Sequence, residues 1–266
     1  MLVRRDGKAM SWFLWDTWQL TWRQILRTLR LPIWIAVSLV QPIIWLGLYG
    51  QLFRRIVELP GFQTTSYITF LTPGVMIMTA FFGGGWAGMS MIDDHDQGVL
   101  SRLLATPASR GAIIAARVLH TALTVLIQSG LILALGLILG ARFHGGALGL
   151  ISVMLIAALL ASGIGALSCG VGLLARREET LIAVMNFLSM PLTFLSTAFI
   201  AAPLMPRWIR ALARINPVNW AVEAARGAAL GTDSGMVLTR LALLAVFTIV
   251  CCLLATLAFR RYQRAL

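Results

Sequence analysis

The sequence predicts an all-α fold: a polytopic membrane protein of six transmembrane helices, with an interfacial amphipathic helix ahead of them and short re-entrant helices before the last one. Three observations predict it. Of 266 residues, 59% are hydrophobic and 12% charged, with a mean hydropathy of +0.84, whereas soluble domains carry about 25% charged residues. The apolar residues gather in runs of about 20, the length that crosses a hydrocarbon core as a helix. No Asp, Glu or Lys stands in the middle of such a run.

Residues 1–30 are predicted to be a cytoplasmic segment. Its start, "MLVRRDGKAMSWFLWDTWQL", is interrupted by charges and lacks the apolar core of a cleavable leader. Within it Trp12, Trp15, Trp18 and Trp22 recur at helical spacing, joined by Leu14, Ile25 and Leu29, with Arg23, Arg27 and Arg30 beside them. Indoles favour headgroup depth and guanidinium groups favour lipid phosphates, so the stripe predicts a helix lying in the membrane interface. The competing expectation is that the indoles pack on other helices.

Residues 31–259 are predicted to hold six spans, at 31–53, 68–92, 112–141, 148–175, 181–200 and 236–259, followed by a short tail at 260–266. Pro42 and Pro191 fall inside spans and are expected to kink them. The pairs Gly84 with Gly88 and Gly136 with Gly140 have the spacing that permits close helix contact. With the N-terminus inside, fourteen Arg and Lys face inward and eight outward. Both termini are therefore expected on the cytoplasmic side.

The second and third spans are joined by 93–112, which begins "DDHDQGVLSRLLATPASR". Adjacent residues on a helix point in different directions, so Asp93, Asp94, His95 and Asp96 do not suit a single metal ion. As helix-starting acids they would meet the positive end of the helix dipole. Leu100, Leu103 and Leu104 then form an apolar face with Arg102 exposed, and Thr106-Pro107 stops the helix. The expectation is a short cytoplasmic amphipathic helix, either a solvated connector or a docking element that carries force into the spans. Before the last span, 203–231 predicts two short amphipathic helices in or on the outer leaflet. Pro206 and Pro217 suit helix starts, and Asn216 suits an N-cap.

The function classes narrow accordingly. The net charge of +12 suits inner-facing loops, and no span-free segment is long enough for a nucleic-acid-binding domain. Cys169, Cys251 and Cys252 lie in apolar runs and read as small hydrophobes, with no disulfide framework or zinc site. The intramembrane polar residues are Gln41, Gln51, Gln128 and Asn186, with His120 near one end of its span. That set lacks the ionisable relay of proton-driven transport. HExxH and GxSxG are both missing. So is a P-loop: the one lysine, Lys8, stands in "RRDGKAM". The chain is not expected to be an enzyme, and any ATP used must be bound by another polypeptide.

Two motifs then carry a resemblance. "DQGVLSRLLATPASRGAIIAARVL" after the second span resembles the acidic-x-G-x-L-x-x-L-L-x-T-P-x-S-R pattern of ABC-2 type permeases, the membrane subunits of type-2 ABC exporters. "INPVNWAVEAARGAALG" resembles that family's NP-containing helix with a downstream arginine. The six-span layout and the amphipathic N-terminal helix agree, and the likeness covers nearly the whole chain. It is nearest to the drug-resistance and lipid- or polysaccharide-export branches.

The resemblance implies a cytoplasmic ABC ATPase in two copies, holding ATP and Mg2+, and a second permease subunit, expected to be identical. It places Asp96, Gly98, Leu100, Leu103, Leu104, Thr106, Pro107 and Arg110 in the coupling segment. Asp96 stands where the family often has Glu. The helix bearing Trp12, Trp15, Trp18, Trp22, Arg23 and Arg27 would help form the ATPase contact. Asn216, Pro217 and Arg226 would belong to the outer re-entrant helices. The chain itself is expected to need no cofactor and no metal. The cargo would be hydrophobic or amphipathic: a drug, a lipid or a lipid-linked glycan. The site would be a bacterial inner membrane. A non-transporting membrane scaffold is the alternative.

Overall fold

The computed structural model describes residues 9–30, 32–58, 66–104 and 110–264, and every regular element among them is helical. Helix α1 spans Ala9–Leu29 and α2 Pro32–Ile44. The latter continues through a π-helical stretch, Trp45–Tyr49, into α3, Gly50–Leu52. Then come α4, Tyr67–Gly85, and, after one tight turn at Trp86–Gly88, α5, Met89–Asp96. Next are α6, Val99–Leu104, α7, Arg110–Ile138, and α8, Gly146–Ala175. The chain closes with α9, Glu178–Phe194, α10, Arg207–Ala213, α11, Pro217–Leu230, and α12, Ser234–Arg264.

Among the described residues, four helical runs are long and apolar enough to cross a membrane: Tyr67–Asp96, Gly111–Ile138, Gly146–Ala175 and Ser234–Arg261. At roughly 1.5 Å per residue each is longer than a hydrocarbon core of about 30 Å. The other two predicted spans form shorter helices. Pro42 lies in α2 just before the π-helical stretch, where the hydrogen-bond pattern changes within a helical run that continues to Leu52. Pro191 lies in α9, which stops at Phe194 after 17 residues.

The bundle is built around α8, which packs against α4, α7, α11 and α12. Its Gly- and Ala-rich sequence lets neighbours approach closely. Gly84 and Gly88 both face it: a Cβ on Gly84 would stand 2.7 Å from the Ala161 carbonyl oxygen, and one on Gly88 would collide with the Ser168 backbone. The Ser168 hydroxyl accepts from the Gly88 amide at 3.0 Å and donates to the Gly85 carbonyl, tying the tight turn to α8. The pair Gly136 and Gly140 behaves differently. Gly136 meets Thr72, but Gly140 has open space beside it and a φ of +93°, so it ends α7 and makes no contact.

Two apolar cores result. The larger joins α4, α7, α8 and α11. The smaller joins Met91 of α5, Leu100 of α6, Ile113 and Ile114 of α7, Cys169 and Leu173 of α8, and Cys251 and Phe259 of α12.

The acidic stretch departs from expectation. Asp93 and Asp94 do not start a helix; they lie in the last turns of α5, and the chain breaks at Gly98 with a φ of +66°. The helix runs on through the acids because cations from two other helices neutralise them.

Candidate functional site

At this end of the bundle stands a buried ionic hub. The residue Asp94 is 3% exposed. Its Oδ2 accepts from Nη2 of Arg117, a residue two turns into α7 and equally buried. The same oxygen accepts from Nη2 of Arg23 at 3.4 Å, and Oδ1 lies 3.6 Å from Nη1 of Arg27. Arg27 also approaches Asp93 at 4.0 Å. Nη1 of Arg117 donates to the Ser90 hydroxyl, which donates to the Ala87 carbonyl at 2.7 Å. A carboxylate near a helix C-terminus opposes the local dipole, and burying it is costly unless it is paired. Three guanidinium groups supply that pairing.

The hub fastens α1 to α5 and α7. Neutral contacts reinforce it: the Thr21 hydroxyl reaches the Ala116 carbonyl at 3.4 Å, and the Thr28 hydroxyl meets Nε2 of His120 at 2.8 Å. So the packed face of α1 is polar, with Thr17, Thr21 and Gln24 buried. Trp12, Trp15, Trp18 and Trp22 face away from the bundle, each about half exposed.

The rest of the segment falls into place around this hub. Asp96 is exposed and Gly98 makes the break. Leu100 is completely buried in the smaller core, Leu103 is half-buried and Arg102 is exposed. Leu104 closes α6 and Arg110 opens α7. Thr106 and Pro107 lie outside the described residues.

A second feature is a cavity of about 660 Å3 between α2, α4, α7 and α9. Trp45, Phe82, Trp86, Phe194 and Phe199 supply much of its wall, and among the described residues no ionisable side chain lines it. Gln41, Gln128 and Asn186, three of the four intramembrane amides singled out in the sequence, meet here; Gln51 lies elsewhere. The Gln128 amide donates to Ser38 at 2.7 Å, and its carbonyl oxygen is buried with no partner among the described residues. The hydroxyl of Thr193, also on the wall, is likewise buried with no partner among the described residues. Orphaned polar atoms in an apolar chamber are costly and available to a ligand.

The opposite end is held by α11. Asn216 caps it, accepting from the Val218 amide at 2.9 Å with Pro217 at the first helical position. The Asn216 amide donates to the carbonyls of Leu192 and Leu195, at the end of α9 beyond Pro191. Asn219 accepts from the Thr197 amide and hydroxyl and donates to Glu223, which pairs with Arg240 of α12 at 2.7 Å. Arg226 stands 3.5 Å over the Phe70 ring and donates to the carbonyls of Phe70 and Ala198. Helix α11 is thus buried among other helices, while α10 keeps Trp208 and Leu212 exposed.

Sequence reasoning counted Arg117 among the fourteen inward-facing cations and Asp94 among helix-starting acids. Each lies within an apolar helical run, where an ionisable residue demands a partner. That demand was the signal that could have paired them.

A bundle with helical runs long and apolar enough to cross a membrane fits an integral, multi-pass membrane protein. Residues 16–230 match the family described as ABC-2 type transporter, and the chain belongs to that family. It is a permease subunit of such a transporter. The "Putative transport permease ycf38" of Cyanophora paradoxa is 30% identical over 215 residues, covering 80% of this chain and 74% of that one. The "Daunorubicin resistance ABC transporter permease protein DrrB1" of Streptomyces coeruleorubidus is 28% identical, covering 82% and 77%. The "Inner membrane transport permease YadH" of Escherichia coli K12 is 27% identical, covering 90% and 93%.

Proposed function

We propose that this chain forms the translocation pathway of an ATP-driven exporter for a hydrophobic or amphipathic substrate. Two copies of a cytoplasmic ABC ATPase bind ATP and Mg2+, and a second copy of this chain completes the pathway. Residues 32–52 and 178–194 provide the remaining two of six crossings, and α10 with α11 form the re-entrant outer element. Both termini face the cytoplasm of a bacterial inner membrane. The drug-resistance name of one relative supports an export role, and the uncharged aromatic cavity supports a cargo without fixed charge.

The observation that carries the coupling is the seating of Leu100. It plugs α6 into a core shared by α5, α7, α8 and α12, so a push on the segment reaches four helices at once. Closure of the ATPases on ATP displaces residues 93–112, and the spans rearrange to release cargo outward.

The test is reconstitution of the full chain with its co-purifying ATPase in sealed inverted vesicles. Arg102→Glu reverses an exposed charge on α6 and spares the buried contacts. It is expected to weaken ATPase co-purification and ATP-dependent accumulation of a lipophilic dye. A variant that keeps full ATPase recovery and full dye accumulation would overturn the coupling role. A chain that brings no ATPase after mild extraction and cross-linking would favour the scaffold.

A further inference from the structure

Beside the hub, two hollows meet. One, of about 1190 Å3, lies between α1, α5 and α7 and is lined by Arg23, Arg27, Arg30 and Arg117 against Asp93 and Asp94. Four cations face two carboxylates, an excess of two positive charges. Asp94 is shared by Arg117, Arg23 and Arg27; the side chains of Arg23 and Arg27 are nevertheless about half exposed in the hollow, and Arg30 is exposed at its mouth. The other hollow, of about 280 Å3, is a slot between α1 and α7 walled by Ile25, Leu29, Leu123, Leu126 and Ile127. Thr28 and His120, hydrogen-bonded to each other at 2.8 Å, line both, so the basic chamber and the apolar slot adjoin on either side of that pair.

We propose that this groove binds one anionic phospholipid, with its phosphate against Arg23, Arg27 and Arg30 and an acyl chain in the slot. Guanidinium groups match phosphate oxygens in charge and in fork geometry. A free phosphate or nucleotide would use the cations but leave the slot empty; a neutral lipid would fill the slot and leave the excess positive charge uncompensated. A phosphate joined to an acyl chain satisfies both halves. The exposed indoles of α1 stand on the same helix, as they would on an element lying at headgroup depth. The groove adjoins the uncharged cavity but has its own lining of cations. Trp86 lines both, and the lipid proposed here is a bound component and not the cargo. The inference does not rest on the transport reading.

The test uses the full chain, delipidated in neutral detergent and observed by native mass spectrometry. Palmitoyl-oleoyl phosphatidylglycerol and phosphatidylcholine are titrated in turn, with inorganic phosphate as competitor. Phosphatidylglycerol is expected to bind in preference. Arg30→Gln should weaken it about five-fold, the worth of one cation near an anionic headgroup. Ile127→Trp, which crowds the slot, should weaken it as well. Arg207→Gln, an exposed cation on α10, should not. Equal binding of the two lipids, or phosphatidylglycerol binding unmoved by both groove variants, would overturn the proposal. So would its full displacement by inorganic phosphate, which would mark a site for free anions.

Discussion

Removing Asp94 should cost more than removing Arg117, and the geometry says why. In Asp94→Leu, Arg117 keeps only the Ser90 hydroxyl and remains a buried cation without a counter-charge. Loss of one partner of a buried pair costs about 3–5 kcal/mol. In Arg117→Met, Asp94 still has Arg23 at 3.4 Å and Arg27 at 3.6 Å. Both can close in from their half-exposed positions, so the cost is expected at about half the first. The double variant Asp94→Leu/Arg117→Met removes the stranded charge and frees Arg23 and Arg27 to reach solvent. It should be more stable than Asp94→Leu alone. The assay is thermal unfolding of the purified full chain in one detergent. At roughly 2–4 °C per kcal/mol for a chain of this size, Asp94→Leu should lower the midpoint by about 6–20 °C. Additive costs in the double variant, or equal costs in the two singles, would refute the view of Asp94 as the acceptor on which all three cations depend.

Two further outcomes follow from packing and from unpaired polar atoms. Gly84→Val puts side-chain atoms where the Ala161 carbonyl stands, 2.7 Å from a Cβ. It should push α4 off α8 and reduce the monodisperse fraction on fluorescence-detected size exclusion, while an equivalent change at Gly47, which has open space beside it, should not. Thr193→Val exchanges an orphaned hydroxyl for a methyl of similar size. It should raise stability by about 1 kcal/mol in thermal unfolding, because an unpaired buried group carries a desolvation penalty, and it should reduce export of a hydrogen-bonding cargo.

The helical fold class was legible because hydropathy records it at every residue: a run such as residues 146–175 has few alternatives to a long buried or spanning helix. The two shorter helices were less legible. Pro42 and Pro191 announced a disturbance, but whether a proline kinks a helix or shortens it is decided by what packs beside it. In the site, the cavity was half visible, since Gln41, Gln128 and Asn186 stood out singly as polar residues in apolar runs. Nothing in the spacing of residues 41, 128 and 186 says that they converge. The hub was misread for a similar reason. Local rules put acids at helix starts, and at Asp94 long-range ion pairing outweighed that local preference. The smaller core drew Leu100 inward as the amphipathic pattern implied, because a three-leucine face has few places to go other than the nearest apolar groove.

The hub also constrains how the bundle can move. Asp94 holds helices α1, α5 and α7 through contacts whose rupture strands a buried charge, whereas α4 meets α8 through glycine and backbone, with no buried charge between them. Under load the second contact is the cheaper one to shift. Helices α1, α5 and α7 should therefore travel together, with displacement taken up against α8 and the α11 end. Nitroxide labels at Gln19 and Leu119, exposed positions on α1 and α7, would report this by double electron–electron resonance. Their separation is expected to stay the same with and without ATP in the complex with its ATPase. A pair at Gln19 and Ala211 of α10, also exposed, should change. A shift confined to the first pair would mean that the ion pairs open during the cycle, and that the hub is a latch and not a fixed joint.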